Sequence, residues 1–181
     1  MRKSEVSPFR IRYATAADNI LLAELGAETF AESFGADNTP ENMTAYLAAS
    51  FSPKKQAREL ADEASRFVII ELDGTAVGYA KLSFGYAPVV VVGQKPMEIV
   101  RIYARKEWIG RGVGAQLMAA SLREAESAGC DVVWLGVWEH NPRAIAFYRK
   151  WGFEQVGTQI FHLGSDVQND WVMARQVGFN K

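Results

Sequence analysis

Three glycines stand at alternate positions, Gly110, Gly112 and Gly114, in the stretch EWIGRGVGAQLM (residues 107–118), directly ahead of a helical apolar pattern. The N-terminus of a helix carries N–H groups without intrahelical partners and a partial positive charge. Residues without a Cβ let a large anion reach those donors and allow left-handed turns between them. The stretch therefore suits a phosphate or pyrophosphate, cradled from Ile109 through Gly110, Arg111, Gly112 and Val113 to Gly114, with Arg111 adding a charged contact. Its spacing is neither the G-x-x-x-x-G-K-[ST] of a P-loop nor the G-x-G-x-x-G of a dinucleotide fold. From the loop alone, a turn that only joins a strand to a helix reads the same way. Cys130, His140 and His162 lack metal-ligand spacing, so no metal is expected. Cys130 also has no adjacent base and is not expected to act as a nucleophile.

The chain that must position this loop has 181 residues, 49% apolar and 23% charged, with a net charge of −1 and one cysteine. This is a globular composition for one domain with a substantial core. The near-neutral charge gives no steering towards nucleic acid. No apolar run reaches membrane-spanning length and MRKSEVSP lacks an apolar signal region, so a cytoplasmic protein is expected, with residues 1–8 as a flexible tail. A single cysteine fits a reducing compartment.

FRIRY (9–13) reads as a first strand, and Thr15 and Asp18 as a capping pair ahead of a helix through NILLAELGAETFAESF. Thr39-Pro40 and Ser52-Pro53 each mark a helix start. FVIIEL and TAVGYAKLSF flank Asp73-Gly74 as a hairpin. PVVVV (88–92) reads as a loop or a short extra strand, an apolar wall or a dimer-forming edge. MEIVRIYA (97–104) and DVVWLGVW (131–138) are strands bracketing the helix that follows the glycines, a βαβ unit whose strands run parallel. Asn141, Pro142 and Gly152 punctuate a further helix, and FEQVGTQIFHL and NDWVMARQV close the chain as two strands. The fold class is α/β with a mixed sheet.

EIVRIYA, then GRGVGAQLM, then VWEHNPRAIAFYRKWGF, occurring in that order, resemble the GCN5-related N-acetyltransferase (GNAT) superfamily over residues 9–175. TPENMTAYL, RIYARKEWIGRGVG and WLGVWEHNPRAIAFYRKWGF look most like its bacterial PaiA-type spermidine/spermine members. The resemblance implies a mostly antiparallel sheet with a splayed parallel pair, helices on both faces, and acetyl-CoA as co-substrate. It implies that the backbone of Ile102, Tyr103 and Ala104 pairs with the pantetheine arm by strand addition. Asn141 matches a cofactor-contacting residue and Tyr148 a general acid. Ile109 stands where the family usually has Gln or Arg, which leaves the backbone cradle intact.

Moving an acetyl group from a thioester to an amine needs a neutral amine, a stabilised oxyanion and a proton for the departing thiolate. With a pKa near 10.4, a free amine is neutral only about once in 2,500 molecules at pH 7. A phenol near 10 holds its proton against a thiol near 8.5, which suits Tyr148. Strand alternation puts residues 98, 100, 102 and 104 on one face, with Glu98 as candidate base through water, although a solvated glutamate reads equally well. Backbone N–H groups of this strand are candidate oxyanion donors. Glu24, Glu28 and Glu32, at helical spacing, offer one face to a cationic acceptor, with Glu28 and Glu32 as candidate substrate ligands; a solvated helix face is the alternative. The expected acceptor is a small-molecule primary amine, with a polyamine such as spermidine or spermine as the candidate. A protein N-terminus, an amino acid or an antibiotic amine is the second reading, and a non-catalytic acyl-CoA-binding regulator the third. Nucleic acid and membrane are not expected partners, and a homodimer is left open.

Overall fold

The computed structural model describes residues 8–178. The expected tail, residues 1–8, lies outside them except for Pro8. Seven strands form one sheet in the order β1-β2-β3-β4-β5-β7-β6, where β1 is Phe9–Tyr13, β2 Ser65–Leu72, β3 Thr75–Phe84, β4 Pro96–Ala104, β5 Val132–Trp138, β6 Glu154–Leu163 and β7 Asp166–Gln176. All neighbours are antiparallel except β4 and β5. Helices α1 (Asn19–Phe34), α2 (Pro40–Ser50) and α3 (Pro53–Leu60) precede the hairpin, α4 (Val113–Ser127) crosses from β4 to β5, and α5 (Pro142–Lys150) follows β5. Among the described residues no helix is long and apolar enough to cross a membrane.

The punctuation does what its chemistry dictates. Thr39 and Ser52 accept hydrogen bonds from Asn42 N and Lys55 N, each followed by proline at the first helical position. Asp73 (φ 50°) and Gly74 (φ 79°) turn β2 into β3 with both central residues left-handed. Asp18 accepts from Thr15 N at 2.7 Å and holds Arg12 of β1 at 2.9 Å. The last hairpin is longer than NDWVMARQV predicts: a turn at Gly164 (φ 61°) closes it at once, so β7 begins at Asp166.

One face of the sheet packs on α4 and α5 through Met97, Ile99, Leu117, Met118, Leu135 and Ile145, all buried. The other carries α1, with Leu22 and Leu25 on Ile69 and Tyr79, and an aromatic cluster around Phe30, Phe51 and Met43. The PVVVV stretch is a loop. Val91 plugs into Val132, Trp134 and Val172, while Val89 stands fully exposed. Asp131 pins the loop by accepting from Gln94 N (2.7 Å) and Lys95 N (2.9 Å), and Trp134 Nε1 donates to Tyr86 O.

Two irregularities shape the centre of the sheet. β4 and β5 pair only at Pro96–Val132, Met97–Val133 and Glu98–Trp134, and then part. Against β3, the register steps from Leu82–Ile99 to Lys81–Arg101, so Val100 is the extra residue of a β-bulge. The bulge reverses the expected alternation. Met97, Ile99, Ile102 and Ala104 share the α4 face. Glu98 is grouped with Arg101 and Tyr103 on the opposite side, not with residues 100, 102 and 104.

Gly78 on β3 sits where a Cβ would lie 2.7 Å from the Tyr103 carbonyl and 3.0 Å from Val113. A backbone atom at that distance must shift, so Gly78→Ala is expected to cost about 1–3 kcal/mol. Urea denaturation should show a lower midpoint with an unchanged slope.

Candidate active site

Where β4 and β5 separate, a cleft of about 910 Å³ opens through the sheet. Its floor is the inner edge of β4 beyond Glu98, including Ile102, Tyr103 and Ala104. Its far wall is β5 from Gly136 to Trp138. Gly110, Gly112 and Gly114 lie at one end, and Asn141 and Tyr148 border it from α5. A second hollow of about 330 Å³, between Val90 and the edge of β6, holds none of the candidate residues.

The glycine turn divides its labour. Gly110 (φ 78°) and Gly112 (φ 91°) adopt left-handed backbone that disfavours any side chain, and a Cβ at either would meet nothing within 4 Å. Gly114 is already helical and lines the cleft from the first turn of α4; a Cβ there would rest in ordinary contact on the Phe147 ring, 3.7 Å away. The Ile109 and Arg111 N–H groups bond to Lys106 O and Trp108 O. The donors that remain for an anion are those of Gly110, Gly112 and the first turn of α4. These features fit a diphosphate. Arg111 departs from its expected place, because its guanidinium stacks 5.5 Å over the Trp108 ring and does not line the cleft. Val113 is fully buried in the core, so only its backbone faces the turn.

Asn141 caps α5, its Oδ1 accepting from Ala144 N at 3.1 Å, which leaves Nδ2 for a ligand. Tyr148, two turns on, packs beside Phe147 and Phe153 with ring centroids 5.5 and 6.1 Å away. Burial pushes its phenol well above the ordinary tyrosine value. Its hydroxyl makes no protein hydrogen bond among the described residues.

Across the cleft the surface changes character. Phe30, Phe34, Tyr46, Phe51, Trp138 and Phe161 supply aromatic faces, with Phe30 stacked on Tyr46 at 4.5 Å. Arg101, turned this way by the bulge, is held by Glu59 of α3: its two terminal nitrogens donate at 2.8 and 3.3 Å, and Lys81 adds a third contact at 3.1 Å. The guanidinium also lies 4.9 Å over Phe51. Three carboxylates line the same space without a salt bridge among the described residues, those of Asp37, Glu98 and Asp170. Burial raises Glu98 above the usual carboxylate range, with Lys81 opposing. Burial and neighbouring Glu139 push Asp170 up to about 6.

Glu28 and Glu32 do not line this space. Glu28 pairs with Arg105, and Glu32 accepts from Lys106 N at 2.9 Å. Their shared helix face is spent on clamping α1 to the end of β4, because the chain brings Arg105 back over it. Asp170 carried no weight in the sequence reading, although the inward alternation of residues 170, 172 and 174 contained a signal. A carboxylate at an apolar position of a buried strand needs a reason.

Residues 27–153 match the acetyltransferase (GNAT) family. An uncharacterised N-acetyltransferase of Lactobacillus delbrueckii subsp. lactis is 37% identical over 151 residues, 83% of this chain and 87% of the relative. The N-alpha-acetyltransferase RimI of Mycobacterium tuberculosis is 30% identical over 178 residues, 97% of each chain. Among solved structures, a PaiA N-acetyltransferase from Thermoplasma acidophilum, in complex with coenzyme A, shares the fold with a TM-score of 0.75 at 19% identity. That match covers 93% of this chain and 98% of the other.

Replacing Gly112 by valine puts a β-branched side chain at φ 91° in the turn. Calorimetric titration with coenzyme A is expected to show affinity reduced about tenfold or more, with the far-ultraviolet circular dichroism of the fold retained.

Proposed function

Since the chain belongs to the acetyltransferase (GNAT) family and is an acetyl-CoA-dependent N-acetyltransferase, we propose that its acceptor is a primary amine of a small polycation such as spermidine. Carrying this reading is the acceptor side of the cleft, where aromatic faces and three carboxylates line one space while Arg101 and Lys81 are held by Glu59. Aromatic faces and desolvated carboxylates are the two groups that recognise alkylammonium ions.

Acetyl-CoA supplies the activated acyl group as a thioester. The N–H groups of Gly110, Gly112 and the first turn of α4, with Asn141 Nδ2, hold its phosphate-bearing end, and the open edge of β4 at Ile102, Tyr103 and Ala104 pairs with its amide-bearing arm, as an added strand would. Tyr148 keeps its proton at neutral pH because burial disfavours the phenolate, so its Oη can deliver that proton to sulfur. Glu98, at the root of the gap, receives the proton of the incoming amine through water. Its raised proton affinity brings it nearer the working pH than an exposed glutamate. Unpaired N–H groups of β4 beyond Glu98 face the reacting carbonyl.

A second acceptor class has one observation in its favour. The mycobacterial RimI, an N-alpha-acetyltransferase, matches this chain along 97% of both sequences. A protein N-terminus carries one amine on an extended backbone and does not require paired carboxylates.

Thiol release from acetyl-CoA, measured with spermidine, a monoamine and an alanine-initiated peptide, separates the two. Spermidine is expected to be turned over best; turnover of the peptide alone would replace the polyamine reading. Tyr148→Phe is expected to lower kcat about 100-fold while changing the KM for acetyl-CoA less than about twofold. Undiminished kcat would remove the tyrosine from the proton path.

A further inference from the structure

Asp170 is 7% exposed, faces the cleft and has neither a salt bridge nor a hydrogen bond to a side chain among the described residues. It lies on β7 opposite Trp138 of β5 and Gln159 of β6. On β5, two residues before Trp138 and opposite Val172, Gly136 leaves a gap. A Cβ there would stand 2.5 Å from Gln159 Nε2 and 3.3 Å from Asp170 Oδ2, so the amide and the carboxylate converge over a backbone that has made way for them. An unpaired carboxylate in such a place costs the folded protein free energy unless a ligand compensates it.

We propose that Asp170, with Gln159, binds a second cationic nitrogen of the acceptor, the one that is not acetylated. The proposal rests on the small-polycation reading and names the part of the site that selects for it. Glu98 stands at the root of the β4–β5 gap, whereas Asp170 is opposite Trp138, at the other end of the paired stretch of β5. The two carboxylates are therefore separated along the strand direction, one beside the reacting amine and one further out. An ammonium at the outer position meets the Asp170 carboxylate and the Trp138 ring, the charge and π-face that desolvated ammonium groups prefer, and the Gln159 amide accepts from it once rotated to present Oε1 in place of Nε2.

Among the described residues no lysine, arginine or histidine forms a salt bridge with Asp170; Arg143 and Lys150 line the cleft from α5, and His140 packs on the Trp138 ring with its Nε2 3.7 Å from Glu139. From the turn that follows β5, Glu139 adds negative charge. From α2, the phenol of Tyr46 faces Asp170 and Arg101 alike, but Arg101 is committed to Glu59. The proton affinity of Asp170, raised to about 6, matches this setting. Its folded value lies above the unfolded one, so the stability tied to it is complete below the ordinary aspartate range and is lost as pH rises towards 6.

The test compares 1,5-diaminopentane with pentylamine, which differ by one ammonium group. Binding is followed by thermal shift and turnover by thiol release, in the wild type and in Asp170→Asn. The substitution keeps shape and removes charge. In the wild type the diamine is expected to be favoured about tenfold or more in apparent affinity. In Asp170→Asn that preference should fall below about threefold, carried by a higher apparent KM for the diamine while the KM for pentylamine moves little. Asp170→Asn should also melt no lower than wild type at pH 8, since the charge it removes is uncompensated there. A preference that survives in Asp170→Asn overturns the proposal while leaving polyamine acetylation standing. Diamine binding that depends on Asp170, with thiol released only by a peptide, keeps the subsite and overturns the polyamine reading. Absence of any Asp170-dependent difference between the two amines in binding overturns the proposal outright.

Discussion

The structure depends on a pair of parallel strands that stop pairing after three residues. β4 is held along its length by β3, and β5 along its length by β7, so each is fixed on its outer side. On the inner side they meet only from Pro96 to Glu98 and from Val132 to Trp134. The divergence exposes main-chain donors and acceptors in the middle of the molecule, where burial without a partner is costly. An extended amide-bearing ligand answers that demand. The glycine turn at the end of β4 lies where such a ligand must carry its charged end, and the N-terminus of α4 supplies the complementary dipole. In the proposed binding mode, cofactor placement and direction of approach follow from one missing set of hydrogen bonds.

Buried charge keeps the divergence in shape. Glu59 reaches from α3 to gather Arg101 and Lys81, and thus ties the bulged part of β4 to β3 and to a helix on the acceptor side. Removing one partner from such a network is more harmful than never having built it, since it strands the remaining charge. Glu28 and Glu32 do a related task on α1, gripping the chain as it leaves β4 for the glycine turn. These contacts engage Lys81, Arg101 and Arg105, while Asp37, Glu98 and Asp170 line the cleft without a salt bridge among the described residues.

Much of this was legible in the sequence wherever local chemistry dictates local form. Asp73-Gly74, Thr39-Pro40, Ser52-Pro53 and Asn141-Pro142 announced their turns and caps, and the glycines announced the left-handed turns at 110 and 112. Features made by distant parts of the chain were not legible. Alternation assigned residue 98 the same face as 100, 102 and 104, because a bulge leaves the residue types unchanged while reversing their direction. Helical spacing showed that Glu28 and Glu32 share a face, but nothing local shows that Arg105 returns across it. Arg111 looked like a phosphate ligand because its neighbours are glycines, yet the indole of Trp108 offers its guanidinium a nearer resting place. Asp170 went unremarked inside an ordinary-looking strand, where only its parity with Val172 and Ala174 marked it as pointing inward.

An unpaired strand edge is a hazard in any β-protein, since it offers a template to the edges of other molecules. Here the unpaired inner edges of β4 and β5 face one another across a wedge within the sheet rather than lying along its outer rim. A sheet from a neighbouring molecule cannot lie alongside either, because the opposite strand occupies the approach. The same divergence that creates a docking groove for one slender, extended ligand therefore protects the protein from self-association through that groove, and the exposure needed for catalysis carries no matching liability to fibril growth.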